Sequence, residues 1–250
     1  DGQVAEWLFA QSEVVVRNGT IRWTADLRNA PPLALHSVDL VLRNTVRQHA
    51  MRLDATPPAD WGQRFSLVGQ FRQPLLGRST TLWHDWSGQA YADFPWVDVA
   101  QLRRHVRPGD LNVEVTQGAG ALRLWADIRN GELEGGMVDV ALAEVNTTVG
   151  ADLQPLALQS VQGRISGRRL ATGFTLATQG LQFKTADGVH WPGGNIKVTS
   201  TGREGPIPAY GELHADKLDL SVLRQIANRL PLGEATHAPL KTYAPAGLVE

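Results

Sequence analysis

The chain has 250 residues, a formal net charge of −1, no Cys, 2 Met and 25 Gly. It is too long for a small stapled scaffold and too near neutral for a dedicated nucleic-acid binder. Without Cys there can be no disulfide, Cys-ligated zinc, Fe–S cluster or thiol catalysis, although the compartment stays open.

Period-two alternation dominates the first hundred residues. Val14 and Val16 alternate with polar neighbours, and Asn18-Gly19 signals a turn. Ile21, Trp23, Ala25 and Leu27 then alternate with Arg22, Thr24, Asp26 and Arg28. After Pro31-Pro32, Leu33 and Leu35 lie in one phase and Val38, Leu40 and Leu42 in the other, which predicts a bulge near His36–Ser37. Met51, Leu53 and Ala55 follow, then Phe65, Leu67, Gly69 and Phe71. Residues 73–85 break the pattern and read as a long loop, and Trp86 to Phe94 reads as a strand. Residues 97–107 predict a helix N-capped by Asp98, with Val99, Leu102 and Val106 on one face and Pro108-Gly109 ending it.

Strands resume with Leu122, Leu124, Ala126 and Ile128 and, past an Asn130-Gly131 turn, Val138, Val140 and Leu142. Further strand positions are Leu156, Leu158, Val161 to Ile165, Phe174, Leu176, Leu181, Phe183, Ile196, Val198 and Gly211 to Ala215. A second helix is predicted over 218–230, with Leu220, Leu223, Ile226, Ala227 and Leu230 as its stripe and Pro231 as its stop. The stretch from Gly233 to Ala246 reads as extended. Ala25 to Asn29 echoes Ala126 to Asn130, and Val97 to Leu102 echoes Leu218 to Leu223. The chain therefore reads as two copies, 1–117 and 118–250, each several strands and then one short helix, the second with an extended tail.

No apolar run approaches the ~18 residues of a membrane span. The chain starts at Asp1 without a signal-like segment, so it is expected to be a processed product or a piece of something longer. About a dozen amphipathic strands and two short helices leave too little cover for the apolar faces. At ~25 cal/mol per Å², exposing such a sheet face costs tens of kcal/mol. A second sheet, a partner protein or a bound apolar ligand could cover it, and periodicity does not choose among them.

The chemistry-bearing residues point away from catalysis. The seven His show no zinc-binding spacing, and His84-Asp85 reads as a solvated loop pair. Gly118-Ala119-Gly120 lacks the third Gly of a dinucleotide loop. Asp26, Asp39, Asp54, Asp127 and Asp139 read as a solvated strand face. Asp85, Asp93 and Asp98 near Trp83, Trp86 and Trp96 leave a carbohydrate-active site as a minor reading. Trp61, Trp83, Trp86 and Trp96 read better as anchors at the rim of an apolar surface. Arg103, Arg104, His105 and Arg107 form a basic patch that suits a solvated helix end or an acidic lipid surface.

Residues Trp7 to Trp23 resemble the opening strands of YhdP-type proteins, a branch of the AsmA-like envelope proteins of Gram-negative bacteria. Pro32 to Leu40 resembles that family's next strand step, Gly211 to Leu220 and Leu230-Pro231 its closing strand and helix, and Ala244 to Val249 a joint to a following segment. The resemblance implies a mainly β fold: a long, twisted antiparallel sheet forming an open hydrophobic groove, with two short helices. It implies a segment of a periplasmic bridge that carries glycerophospholipids between inner and outer membranes, anchored through an N-terminal inner-membrane helix not in this chain. An outer-membrane partner would fit; nucleic acid, catalysis and cofactors would have no part. On this reading the acyl chains meet Ile21, Trp23, Leu27, Val38, Leu40, Leu42, Met51, Leu53, Phe65, Leu67, Phe71, Leu122, Leu124, Ile128, Val138, Val140, Leu142, Phe174, Leu176, Ile196 and Val198. The competing reading is a β-sandwich structural or interaction module of the envelope, with the same residues as its core.

Overall fold

The computed structural model describes residues 7–25, 30–74, 85–105, 114–150, 153–202, 210–230, 242–243 and 245–249. Its strands are β1 (Glu13–Ala25), β2 (Ala30–Asn44), β3 (Gln48–Thr56), β4 (Phe65–Arg72), β5 (Ser87–Asp98), β6 (Glu114–Arg129), β7 (Glu132–Thr148), β8 (Leu156–Leu170), β9 (Gly173–Thr185), β10 (His190–Trp191), β11 (Ile196–Thr201) and β12 (Tyr210–Ala215). They form one 12-stranded sheet in chain order, except that β11 pairs with β9 and β10 is a short side ladder on β9. The path runs from β1 to β12 without closing, as expected of a mainly β, open antiparallel sheet. A separate ribbon pairs β13 (Leu218–Asp219) with β14 (Leu248–Val249). The helices are α1 (Val99–His105) and α2 (Leu220–Ile226), and residues 7–10 make one helical turn. Two compact units divide the chain: Asp1–Val97 with Leu122–Val138, and Asp98–Ala121 with Asp139–Glu250.

In the first unit the register fixes which side chains share a face. Val14 lies opposite Leu42, Val16 opposite Leu40, Leu40 opposite Leu53, Leu42 opposite Met51, and Leu53 opposite Leu67. Residues directly opposite project to the same side, so these apolar pairs stack into one face. The bulge expected near His36–Ser37 is present. Ile21 pairs with Leu35 and Gly19 with Val38, and Ser37 takes a left-handed φ of 47°. One extra residue thus brings Leu35 and Val38 to the same side. Asn18-Gly19, expected as a turn, is instead a second bulge inside a continuous β1. Asn18 has φ 50°, and its N–H donates to Asp39 Oδ1 at 3.0 Å. Asn favours this backbone region in turn and bulge alike, and here the ladder continues on both sides. Asn130-Gly131 does form the expected hairpin turn, with φ values of 50° and 72°.

In the second unit Glu144, at φ 51°, takes up an extra residue between Leu142 and Val145. Both reach one buried cluster with Val115, Leu156, Leu158, Val161 and Phe183. Asp98 caps α1, its Oδ1 accepting from the N–H groups of Ala100 at 2.9 Å and Gln101 at 3.2 Å. Asp219 caps α2 in the same way, accepting from Ser221 and Val222. The second helix is shorter than the expected 218–230. Leu218 and Asp219 are held in the β13 ladder, and after Ile226 the chain tightens into a 3-10 turn over Ala227–Arg229. Arg229 Nη2 reaches Asp187 Oδ2 at 2.7 Å, and this pairing, with the Thr185 hydroxyl, pulls the Asp187 pKa down to about 2. Most of the expected loop at 73–85, the end of the first helix, and most of the expected extended tail lie outside the described residues.

A β-branched residue tolerates the left-handed region poorly. Ser37→Val should lower the unfolding free energy by about 1–2 kcal/mol in urea titrations, while Ser37→Gly stays within about 0.5 kcal/mol of the parent.

Candidate functional site

The candidate site is the apolar side of the sheet. In the first unit it carries Ile21, Val38, Leu40, Leu42, Met51, Leu53, Phe65, Leu67 and Phe71, all placed there by the ladder register. Ala90 and Ala92 of β5 join them opposite Gly69 and Leu67. The other side of β5 meets β6 through polar and aromatic contacts. Asp93 pairs with Arg123 at 3.5 Å, the rings of Tyr91 and Trp125 lie 5.2 Å apart, and Gln89 donates to Asp127 at 3.0 Å. Alternation then puts Leu122, Leu124 and Ile128 on the apolar side. A Cβ on Gly136 would sit 2.9 Å from the Trp125 carbonyl and 3.9 Å from Ala126 Cα. Gly136 therefore lies against Ala126, and Val138, two residues on, shares its side. Trp23 lies opposite Leu33 in the ladder. Leu27 lies outside the described residues.

In the second unit Leu142 belongs to the buried cluster, and Val140 shares its side by alternation. Val161 is in the same cluster, so Ile165, four residues along β8, faces the same way. Ile165 lies opposite Thr178, which extends this side to Leu176 and Phe174 on β9. Across the next ladders Leu176 faces Val198, which faces Leu213. Here the side opens to solvent: Phe174 is 50% exposed, Leu176 42% and Leu213 50%, whereas Leu42 in the first unit is only 5% exposed.

Sequence alternation did not single out several of the participants. Val145 hides behind the phase shift at Glu144, and Leu213 stands in a short strand between polar residues. A buried aromatic group at one end of the first unit's apolar side was also missed. His49 stacks on Trp86 with ring centroids 3.9 Å apart and planes 7° from parallel, and Phe9 meets Trp86 edge-on at 4.7 Å. Trp86 is 4% exposed, so it is a core residue and not the rim anchor expected of it. Of the other proposed anchors, Trp96 is partly exposed, Trp61 is half-buried, and Trp83 lies outside the described residues. The Asn44 amide donates to the carbonyls of Leu8 and Gln11, which leaves its Oδ1 to accept from His49 Nδ1–H at 2.9 Å. His49 Nε2 is buried without a hydrogen-bond partner, and burial lowers the His49 pKa.

The opposite side is charged and internally paired. Asp39 bonds Arg64, Asp54 bonds Arg52, and Asp139 bonds Arg164. Arg52 and the Ser66 hydroxyl hold the Asp54 pKa below the ordinary carboxylate value. Asp98 is occupied as a helix cap and Asp93 by Arg123, so neither supports a paired-acid site. Of the basic patch, Arg103 bonds Glu114, and Arg107 lies outside the described residues. Among the described residues no helix is long and apolar enough to cross a membrane.

The family model described as YhdP protein matches residues 1–250. No curated protein and no solved structure matches the chain.

Two outcomes follow from the burial pattern. Leu42→Asp buries an unpaired carboxylate and should cost more than about 3 kcal/mol in chemical denaturation, whereas Leu176→Asp should cost less than about 1 kcal/mol. A His49 pKa below the unfolded value of 6.5 makes stability full above that pH and progressively lost as pH falls toward the folded pKa. Thermal melts between pH 7 and pH 5 should show this loss (about 6.5 being the ordinary imidazole value), and His49→Phe should flatten it.

Proposed function

The chain belongs to the YhdP family of bacterial envelope proteins, and on that premise we propose that it is a segment of a periplasmic, bridge-like protein that carries glycerophospholipids between inner and outer membranes. The observation that supports this most directly is the exposure of Phe174, Leu176 and Leu213 on the same side as a buried apolar cluster. A fully exposed Leu or Phe forgoes about 1.5–3 kcal/mol relative to burial. An acyl chain laid along this side recovers ~0.8 kcal/mol for each CH₂ it buries. Binding of that kind needs no polar recognition along the chain. Successive apolar rows of similar chemistry give neighbouring positions of similar energy, so a lipid moves between them against small barriers.

The protein's part is then to bind and to guide. No bond is made or broken, and no cofactor enters. The membrane anchor would be supplied by an N-terminal helix outside this chain, with an outer-membrane partner at the far end. Leu40, Leu53, Leu124, Leu142, Leu176 and Val198 are among the side chains that meet acyl chains. The Asp39–Arg64, Asp54–Arg52 and Asp139–Arg164 pairs face water.

A photo-crosslinking amino acid placed at Leu40, Leu124 or Leu176 should capture phospholipid in cells, and at Val41, Arg123 or Thr175 on the opposite side it should not. Equal capture from both sides, or none from either, sinks the proposal. Leu40→Asp and Leu124→Asp are expected to keep the fold and lose lipid. If both instead unfold the chain with lipid capture absent throughout, the apolar side is an ordinary core.

A further inference from the structure

One end of the first unit's apolar side is closed by a segment outside the sheet. Residues 7–10 make one helical turn, and residues 7–11 lie as a strap against the end of β2 and the starts of β3 and β5. The carbonyls of Leu8 and Gln11 accept from the Asn44 amide at 3.2 and 2.8 Å. The Phe9 ring lies edge-on to His49 at 5.7 Å and to Trp86 at 4.7 Å between centroids. What the strap covers is fixed in place. The Trp86 carbonyl accepts from Gly131 N–H at 2.8 Å and the Ser87 hydroxyl from Asn130 N–H at 3.0 Å, so the β6–β7 turn anchors the start of β5. Phe71, opposite His49 in the β3–β4 ladder, lies 6.4 Å from Trp86.

The hydrogen bonds also fix the His49 tautomer. Asn44 gives its amide N–H groups to the strap, so its Oδ1 faces His49 Nδ1, which must carry the ring's proton. Nε2 of the neutral ring is then a bare lone pair, buried and unbonded among the described residues, on a side chain whose residue is 6% exposed. A proton on Nε2 creates a buried imidazolium with an N–H that has no acceptor, which costs far more than an idle lone pair. The strap carries no titratable group. Around the ring, Arg43 is turned to Glu13, Arg47 donates to the Gln73 carbonyl, Arg72 alternates with Phe71 onto the other side, and the exposed Asp85 precedes Trp86. Burial is the cause that lowers the His49 pKa, and no carboxylate among the described residues bonds the ring. The strap is the part that can yield, being a single turn, whereas His49 stands in a ladder strand and Trp86 is held by the β6–β7 turn.

We propose that residues 7–11 are a proton-released strap: with His49 neutral they close this end of the apolar side, and a proton on Nε2 lifts them and uncovers the His49, Trp86 and Phe71 rings. One proton is taken up per opening, so the open-to-closed ratio rises by up to about tenfold for each pH unit below about 6.5. The strap stands apart from the lipid-carrying reading, because its opening needs no lipid.

The 250-residue chain has no Cys, so paired Cys substitutions can carry spin labels at chosen positions. Double electron–electron resonance between Ala10→Cys and Gln70→Cys reads the strap, and Val15→Cys with Gln70→Cys reads the sheet alone. The strap pair should give one distance at pH 7.5. At pH 5 a second, longer distance should appear, its share raised about tenfold or more, while the sheet pair is unchanged. His49→Phe should hold the strap pair at its pH 7.5 distance down to pH 5. If that variant does not fold, His49→Gln, which cannot take a proton, is read in its place. Phe9→Ala should show the longer distance already at pH 7.5. The proposal is overturned if the strap pair is unchanged at pH 5, or if it changes equally in the His49 variants. It is overturned too if the sheet pair changes with it, since that is unfolding of the unit and not release of the strap.

Discussion

Side chains of a β-strand alternate between two sides, and in this chain nearly every other structural fact is a consequence of holding that alternation in phase. Few helices are available as cover, so one side of each long strand must be apolar and the other must satisfy water. Pairs such as Leu40 with Leu53, Leu53 with Leu67 and Val198 with Leu213 lock neighbouring strands to the same phase. The ion pairs on the other side add little energy individually, about 0–1 kcal/mol each. Their contribution is to make an error expensive. A one-residue slip of β2 would turn Asp39 and Arg43 onto the apolar side and Leu40 and Leu42 into water.

The apolar side is not uniform within either unit. In the second, it grades from the tightly packed Val145, Leu156 and Leu158 to Phe174, Leu176 and Leu213, which keep about half their surface in solvent. In the first, the stack of His49 on Trp86, with Phe9 at its edge, closes one end by tying residues 7–10 to β3. Burial of a titratable ring in that position couples the packing of this end to proton concentration, while the rest of the side depends on contacts indifferent to it.

Much of this was legible in the sequence because period-two patterning survives without any neighbour to interpret it. The switch of phase between Leu35 and Val38 identified the bulge at Ser37, and Asn130-Gly131 identified the hairpin between β6 and β7. Asp98 identified the start of α1. Asn18-Gly19 misled because a hairpin and a bulge demand the same backbone conformation, and only pairing with β2 separates them. Pairing also decided what burial means: Leu42 and Leu176 are the same residue type in similar alternating contexts, yet one is enclosed and the other open. His49 and Trp86 stand far apart in the chain, and nothing local announces that they stack.

The single-residue insertions at Asn18, Ser37 and Glu144 carry a rule for how such strands can change length. Adding or deleting one residue in an alternating strand inverts everything beyond it, so a viable insertion or deletion must span an even number of residues or coincide with a position that can adopt positive φ. Each of these three sites therefore works as a joint in the arithmetic of the chain. It lets a strand gain an odd residue without exchanging its oily side for its charged one, and it marks where relatives of different strand length can differ in count and still agree in pattern.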